Sequence, residues 1–388
     1  MNRENIHKLG FDADRLARVT AAIKREIEAE RCHGVALIVA RGGKIVLDVV
    51  EGYADRQAGR ALKPDSVFAT MSVAKQFTNV LALSMVERGI LRLHAPIADW
   101  LPEFRVLGKE KVNLAHILTH TSGILGQIPP LPPEVITSIA GLCGVACAMP
   151  LESQPGERVN YSILVAHSVL GALCVRADPA KRTYTQMIEQ ELFEPLKMKD
   201  TSVGVRKDLL ARYCPVRAAW SGTGIIPPQA AEGMNMMLQF PGGEIPGGGC
   251  VTTIGDLHRF VEMLRGGGEL DGARILSPGT IDYVTRNHTG DLRNILFDGM
   301  LTDRGWNPFP AYIGLGFFIR GEAITPGPFG AFNSPRTYGG LGAGSTCFWV
   351  DPARDLSFSF LSTGLMEDSH HIERLSMLSD LVIASMVR

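Results

Sequence analysis

Between Asp12 and Glu30 the apolar residues Leu16, Val19, Ile23 and Ile27 recur at helical spacing, which predicts an amphipathic helix. The pattern then changes. Val35 to Ala40 and Lys44 to Val50 are two apolar runs joined by Arg41-Gly42-Gly43, a hairpin signal. A short strand is expected over Val67 to Ala69. It precedes a long apolar-periodic helix from Ser72 to Arg88, closed by Gly89. From about Leu93 to Met236 the chain reads as mainly helical with proline-rich loops, one marked by Pro129, Pro130, Pro132 and Pro133. Thr253 to Leu264 is a further expected helix, with Thr253 or a neighbour as its cap and Gly266-Gly267-Gly268 as its end. In the last third, Ile313 to Arg320, Thr346 to Val350 and Leu356 to Ser362 are short, β-branched or aromatic runs broken by Gly, Pro or Asp-Pro, and read as strands. His371 to Val387 returns to helical spacing.

Pairing of the N- and C-terminal strands gives an α+β fold. One antiparallel sheet, flanked by the N- and C-terminal helices, is interrupted by a mainly helical insertion. The expected division of this single domain is an α/β subdomain over about 1–90 and 245–388 and a helical subdomain over about 91–244. The cleft between them is the natural place for a site.

Composition narrows the function. The 388 residues include 39 basic and 40 acidic side chains, for a formal charge of -1. That balance supplies no broad field for nucleic acid or an anionic membrane surface. The most apolar stretch, Ile163 to Val175, contains His167 and Ser168 and falls short of the roughly 20 residues a spanning helix needs. Met1 to Arg18 mixes charges throughout, unlike a secretory signal. The seven scattered cysteines, an odd number, read as buried thiols in a reducing compartment. A cytoplasmic location is the expectation.

Several chemical signatures are absent. There is no G-x-S-x-G, no G-x-G-x-x-G, no P-loop and no H-E-x-x-H. His116 and His120 share a helical spacing but lack an acid or third ligand spaced for zinc, and read as structural. Cys143 and Cys147 read as core thiols, and His370-His371 as solvated surface. No metal or organic cofactor is expected. One S-x-x-K occurs, Ser72-Val73-Ala74-Lys75, after a predicted strand and at the start of an apolar helix. Residues three apart share a helix face, so the Lys75 amine reaches the Ser72 hydroxyl. Unpaired N–H groups of the first turn favour an oxyanion, and burial beside Phe77, Val80, Leu81 and Leu83 makes the amine a usable base. Spacing alone leaves a second reading open, in which Ser72 is an N-cap and Lys75 a snorkelling surface residue.

The segment from Phe68 to Phe104 around this motif resembles the active-site helix of the serine β-lactamase and penicillin-binding-protein superfamily, class C-like. Ile117 to Ile124 (ILTHTSGI), Pro155 to Leu173, Gly247 to Gly268 and Tyr338 to Ser362 resemble further segments of that superfamily, in order along the chain. The resemblance implies Ser72 as acylated nucleophile, Lys75 as its partner base and Tyr161 as the proton relay. It places Tyr338-Gly339-Gly340 at the K-T-G strand, with the Leu341 N–H as second oxyanion donor beside that of Ser72. Two positions depart: the Y-x-N asparagine is Ile163 and the K-T-G lysine is Tyr338. Both departures argue against efficient β-lactam hydrolysis and against cell-wall peptides. They resemble family VIII carboxylesterases and the lovastatin-pathway acyltransferases, which act on esters or thioesters.

The implied function is a carboxylesterase working through a Ser72 acyl-enzyme. The alternatives are a biosynthetic acyltransferase with an ester or thioester donor and an acyl-carrier protein as partner, and a non-catalytic binding protein on the same fold. Gln127 to Pro133, Trp220 to Phe240 and Leu292 to Tyr312 are expected to shape the cleft. They contribute Met234, Met236 and Met237 and the aromatic residues Trp220, Phe240, Trp306, Phe309 and Tyr312.

Overall fold

The computed structural model describes residues 3–222 and 224–387. Met1, Asn2, Thr223 and Arg388 lie outside the described residues, Thr223 within a segment expected to shape the cleft. Twelve strands are described: β1 (Gly34–Arg41), β2 (Lys44–Asp55), β3 (Arg60–Ala61), β4 (Phe68–Ala69), β5 (Ser202–Val203), β6 (Cys250–Thr252), β7 (Glu269–Leu270), β8 (Ala273–Arg274), β9 (Phe318–Ile319), β10 (Tyr338–Gly342), β11 (Thr346–Asp351) and β12 (Leu356–Thr363). Seven of them form one antiparallel sheet in the order β3-β2-β1-β12-β11-β10-β9, so strands from the two ends of the chain meet at its centre.

Local chemistry sets these elements. In the β1–β2 turn, Gly42 and Gly43 both have positive φ (55° and 75°). A two-residue hairpin of type I′ requires that conformation at both positions, and glycine adopts it without strain. Along β1 the side chains alternate between two cores. Val35, Leu37 and Val39 pack with Leu16, Val19 and Ile23 of helix Ala13–Glu28 and with Leu375 and Leu378 of helix Asp368–Ala384. Ala36 and Ile38 face the larger core, which includes Phe77 and Phe260. Helix Ile254–Arg265 crosses that face, capped by the Thr253 side chain on the Asp256 N–H.

The helical region holds helices Leu114–Leu118, Ile139–Ala148, Val165–Ala177 and Ala230–Leu238. Helix Val165–Ala177 is apolar nearly all round because it is buried, packed on helix Ala74–Glu87, which follows Ser72, and on Ile139–Ala148. No helix among the described residues is long and apolar enough to cross a membrane. All seven cysteines are free thiols.

Two boundaries differ from expectation. Of Ile313 to Arg320, only Phe318–Ile319 pairs as a strand. Gly316, at φ 90°, turns the chain back so that Gly314 N donates to Phe317 O, and Gln76 and Asn79 donate to the Gly316 carbonyl. The C-terminal helix begins three residues early, at Asp368, because the Glu367 carboxylate caps the N–H groups of Ser369 and His370.

Candidate active site

A second small sheet, β4-β6-β5, delivers the Ser72 turn. Thr70 N and Thr70 Oγ1 both donate to Cys250 O, fixing the end of β4 against β6. Met71 then adopts φ 48°, a left-handed conformation that costs a non-glycine residue energy and clusters at functional sites. That single residue reverses the chain and starts the 3₁₀ turn Met71–Val73, which runs into helix Ala74–Glu87. Ser72 therefore sits in the first turn, where backbone N–H groups lack intrahelical partners. On the other side, β10 lies against this turn. A Cβ on Gly342 would sit 2.9 Å from both Met71 Cβ and Thr70 O, so glycine is what permits the approach. Thr346 Oγ1 donates to Thr70 O at 2.9 Å and ties β11 to the same turn.

Lys75 is 0% exposed. Its Nζ lies 3.1 Å from Ser72 Oγ and 2.7 Å from each of the Ile163 and Gly247 carbonyl oxygens. It makes no ion pair, and burial lowers its pKa from 10.5 to about 7. A neutral amine has two N–H groups and one lone pair. The two carbonyls can only accept, so they take the two N–H groups, and the lone pair is left facing the Ser72 hydroxyl. Ile163 thus serves through its backbone oxygen.

The Tyr161 ring is clamped. It stacks on His120 at 4.3 Å between centroids and on Phe318 at 6.0 Å, and Lys75 Nζ stands 4.9 Å from its centroid. Burial pushes the phenol well above its ordinary value, opposed by a hydrogen bond with Ser72, so the group is a neutral phenol. Behind it, His120 and His167 lie 5.4 Å apart, both neutralised by burial, His120 down to about 3. Asn79 Nδ2 donates to Gly316 O, so its Oδ1 accepts from His167 Nε2 at 3.0 Å. His120 has φ 55°, a second left-handed non-glycine residue at the site.

Ser72 and Tyr161 open into one cavity with Ile163, Ile225, Ile226, Leu296, Phe297, Phe318, Leu341, Ala343, Asp368 and Ile372. A second cavity continues it, sharing Phe297, Phe318, Leu341 and Ile372 and adding Phe309 and Tyr312. Leu341 is thus brought to the site. Tyr338 is not: its ring is buried against Phe317, and its hydroxyl donates to Leu264 O at 3.1 Å, in the core. Its side chain lines neither cavity, so any part this position plays at the site falls to the strand backbone. Gly339 and Gly340 are fitted to close packing, since added Cβ atoms would meet Phe348 O and Gln76 Oε1. The pairing of β10 with β9 stops at Gly339.

Of the segments expected to shape the cleft, Trp220 to Phe240 supplies Ile225 and Ile226, and Leu292 to Tyr312 supplies Leu296 and Phe297. Gln127 to Pro133 supplies nothing to either cavity. The methionines are elsewhere: Met234 and Met237 pack on the cores and Met236 is exposed. Phe240 lines a separate cleft beside helix Ile139–Ala148, and Trp306 lies under Arg304. The sequence did not single out His120, Asp368 or Phe318 for the site, although His120 falls within the segment Ile117 to Ile124 and Phe297 within the cleft segment Leu292 to Tyr312. Among the described residues no cluster of histidine, cysteine or acidic side chains is arranged to hold a metal ion.

The beta-lactamase family model matches residues 19–379. The chain belongs to the beta-lactamase family and is a serine enzyme of that family. Among its relatives, the esterase EstB of Burkholderia gladioli is 34% identical over 202 residues, covering 47% of this chain and 50% of that protein. The crystal structure of a family VIII carboxylesterase superposes with a TM-score of 0.77 at 21% identity, over 96% of this chain and 98% of that one. EstCE1, a hydrolase with promiscuous acyltransferase activity, superposes with a TM-score of 0.77 at 21% identity, over 95% and 99%. At these identities the two structures establish the shared fold.

Proposed function

We propose that the protein is a carboxylesterase acting through an acyl-enzyme on Ser72. The observation that carries this reading is the Lys75 amine, buried without a counter-ion and bonded to two carbonyls and the Ser72 hydroxyl. Ser72 Oγ attacks the ester carbonyl carbon as its proton passes to the Lys75 lone pair. The Ser72 N–H and the Leu341 N–H hold the oxyanion. When the intermediate collapses, the carbon–alkoxide bond breaks and the Tyr161 phenol protonates the departing alcohol. The Lys75 ammonium returns a proton to Tyr161. Water then attacks the acyl carbon as it gives up a proton to the same pair, the bond to Ser72 Oγ breaks, and the pair returns that proton to Ser72 as the acid leaves. The Lys75–Tyr161 pair titrates as a unit across this cycle.

Esterase homologues support the ester as substrate. The apolar cavity beside Ser72 favours a second outcome. Where an alcohol fills it and excludes water, the acyl group passes to that alcohol, a transferase reaction on the same intermediate. The absence of a cation at Tyr338 speaks against carboxylate-bearing β-lactams. Release of p-nitrophenol from the acetate and butyrate esters, with intact-mass analysis, tests the reading. The wild type turns over and acylates only at Ser72, and Ser72→Ala loses turnover with its circular dichroism unchanged. Retained kcat in that variant refutes the mechanism, and a wild type that neither turns over nor acylates leaves a binding protein as the reading.

A further inference from the structure

We propose that Asp368 makes the Ser72 cavity selective for esters that carry an ammonium group, and against esters that carry a carboxylate. This rests on the esterase reading above. The cavity is otherwise walled by Ile225, Ile226, Leu296, Phe297, Phe318 and neighbouring apolar side chains, and Asp368 is the one acidic group that lines it with Ser72 and Tyr161. Its side chain is half-buried at the cavity wall. Oδ1 accepts from Gly344 N at 3.3 Å, and among the described residues that is its one polar partner. No arginine or lysine pairs with it.

Position in the helix does not account for the residue. Asp368 opens helix Asp368–Ala384, but the first free N–H groups, those of Ser369 and His370, are already taken by Glu367. A buried carboxylate without a cation is costly, and burial with repulsion from Glu367 pushes its pKa up to about 7. A cation arriving with the substrate removes that cost. Phe297 and Phe318 line the same cavity, and aromatic rings attract a cation. The lysine of the K-T-G strand is replaced by Tyr338, which is in the core, so nothing there attracts a substrate carboxylate. Lys75 is held by two carbonyls, and burial lowers its pKa to about 7, so above that pH it carries no charge to repel an ammonium group.

The test compares isosteric esters. On the acyl side these are p-nitrophenyl 4-(trimethylammonio)butyrate, 5,5-dimethylhexanoate and the glutarate monoester. On the alcohol side they are choline acetate and 3,3-dimethylbutyl acetate. In the wild type kcat/KM for the cationic member of at least one pair exceeds its neutral isostere by roughly ten- to hundredfold, and the glutarate ester is slowest. Asp368→Asn, which keeps the Gly344 bond, brings the ratio close to one, and Asp368→Glu keeps the preference. Ratios are taken within one protein, so a general loss of rate cancels. Calorimetric binding of choline against 3,3-dimethylbutanol to Ser72→Ala reads the same preference without turnover. Turnover with no cationic preference in either pair overturns the assignment of Asp368. A binding preference with no turnover of any ester overturns the esterase reading instead.

Discussion

The neutral state of Lys75 is open to a measurement that needs no substrate. Lys75→Met keeps an unbranched side chain of similar length and removes the titrating amine. In the unfolded chain this amine titrates near 10.5, and in the fold near 7. Between those values the unfolded chain binds one more proton than the native protein, so raising the pH stabilises the native state. Below about 7 both states hold the ammonium, and above 10.5 neither does, so the effect is confined to that window. Its slope is about 1.4 kcal/mol per pH unit. From pH 7.5 to pH 9.5 the wild type therefore gains about 2–3 kcal/mol relative to Lys75→Met. Guanidinium chloride unfolding of both proteins at the two pH values measures this, provided the denaturant slopes agree. Below that window kcat/KM of the wild type climbs about tenfold per pH unit up to about 7, and within it the rate is level, as the lone pair becomes free. Equal stability changes in the two proteins would mean that Lys75 stays an ammonium in the fold. The assignment of its lone pair to Ser72 would then be wrong.

Other consequences are as direct. Tyr161→Phe keeps the ring between His120 and Phe318 but removes the proton donor, and lowers kcat by about 10²–10⁴-fold with little change in Tm, read by steady-state kinetics and calorimetry. Tyr338→Phe loses the bond to Leu264 O and about 1–2 kcal/mol of stability while keeping esterase turnover; a collapse of turnover at unchanged Tm would return Tyr338 to the site. Gly342→Ala forces a Cβ to within 2.0 Å of Thr346 Oγ1 and 2.9 Å of Met71 Cβ, costs about 1–3 kcal/mol in a denaturant melt and depresses kcat by moving the Ser72 turn.

The elements that carry long apolar periodicity were legible from the sequence. Helix Ala13–Glu28, the β1–β2 hairpin, the nucleophile helix and helix Ile254–Arg265 lie where hydrophobic spacing and caps predict them. Segments whose shape depends on partners were not. Ile313 to Arg320 looks like a strand until Gln76 and Asn79 bind the Gly316 carbonyl and hold a turn there. The structure brings together Ser72, Lys75 and Tyr161, the three residues that spacing and family pattern mark. Tyr338 could not be placed, since alternation along β10 says which positions share a face but not which face meets the cavity. Asp368 and Phe318 have no motif. They reach Ser72 only because the sheet order puts β9 and the C-terminal helix beside the nucleophile turn.

The central pair of the sheet sets a timetable for making the protein. Thr363 Oγ1 reaches Gly34 O across 329 positions of chain. At a synthesis rate of about 5–20 residues per second, β1 and β2 wait on the order of tens of seconds for β12. Throughout that interval the hairpin presents the Val35, Leu37 and Val39 row and an open strand edge at the ribosome. The helix bearing Ser72 emerges early in translation, yet β10, which walls its cavity, is among the last strands to leave the exit tunnel. No nascent chain short of about residue 372 can hold a finished cavity, because Asp368 and Ile372 line it, so the β1 edge is paired before the site is complete.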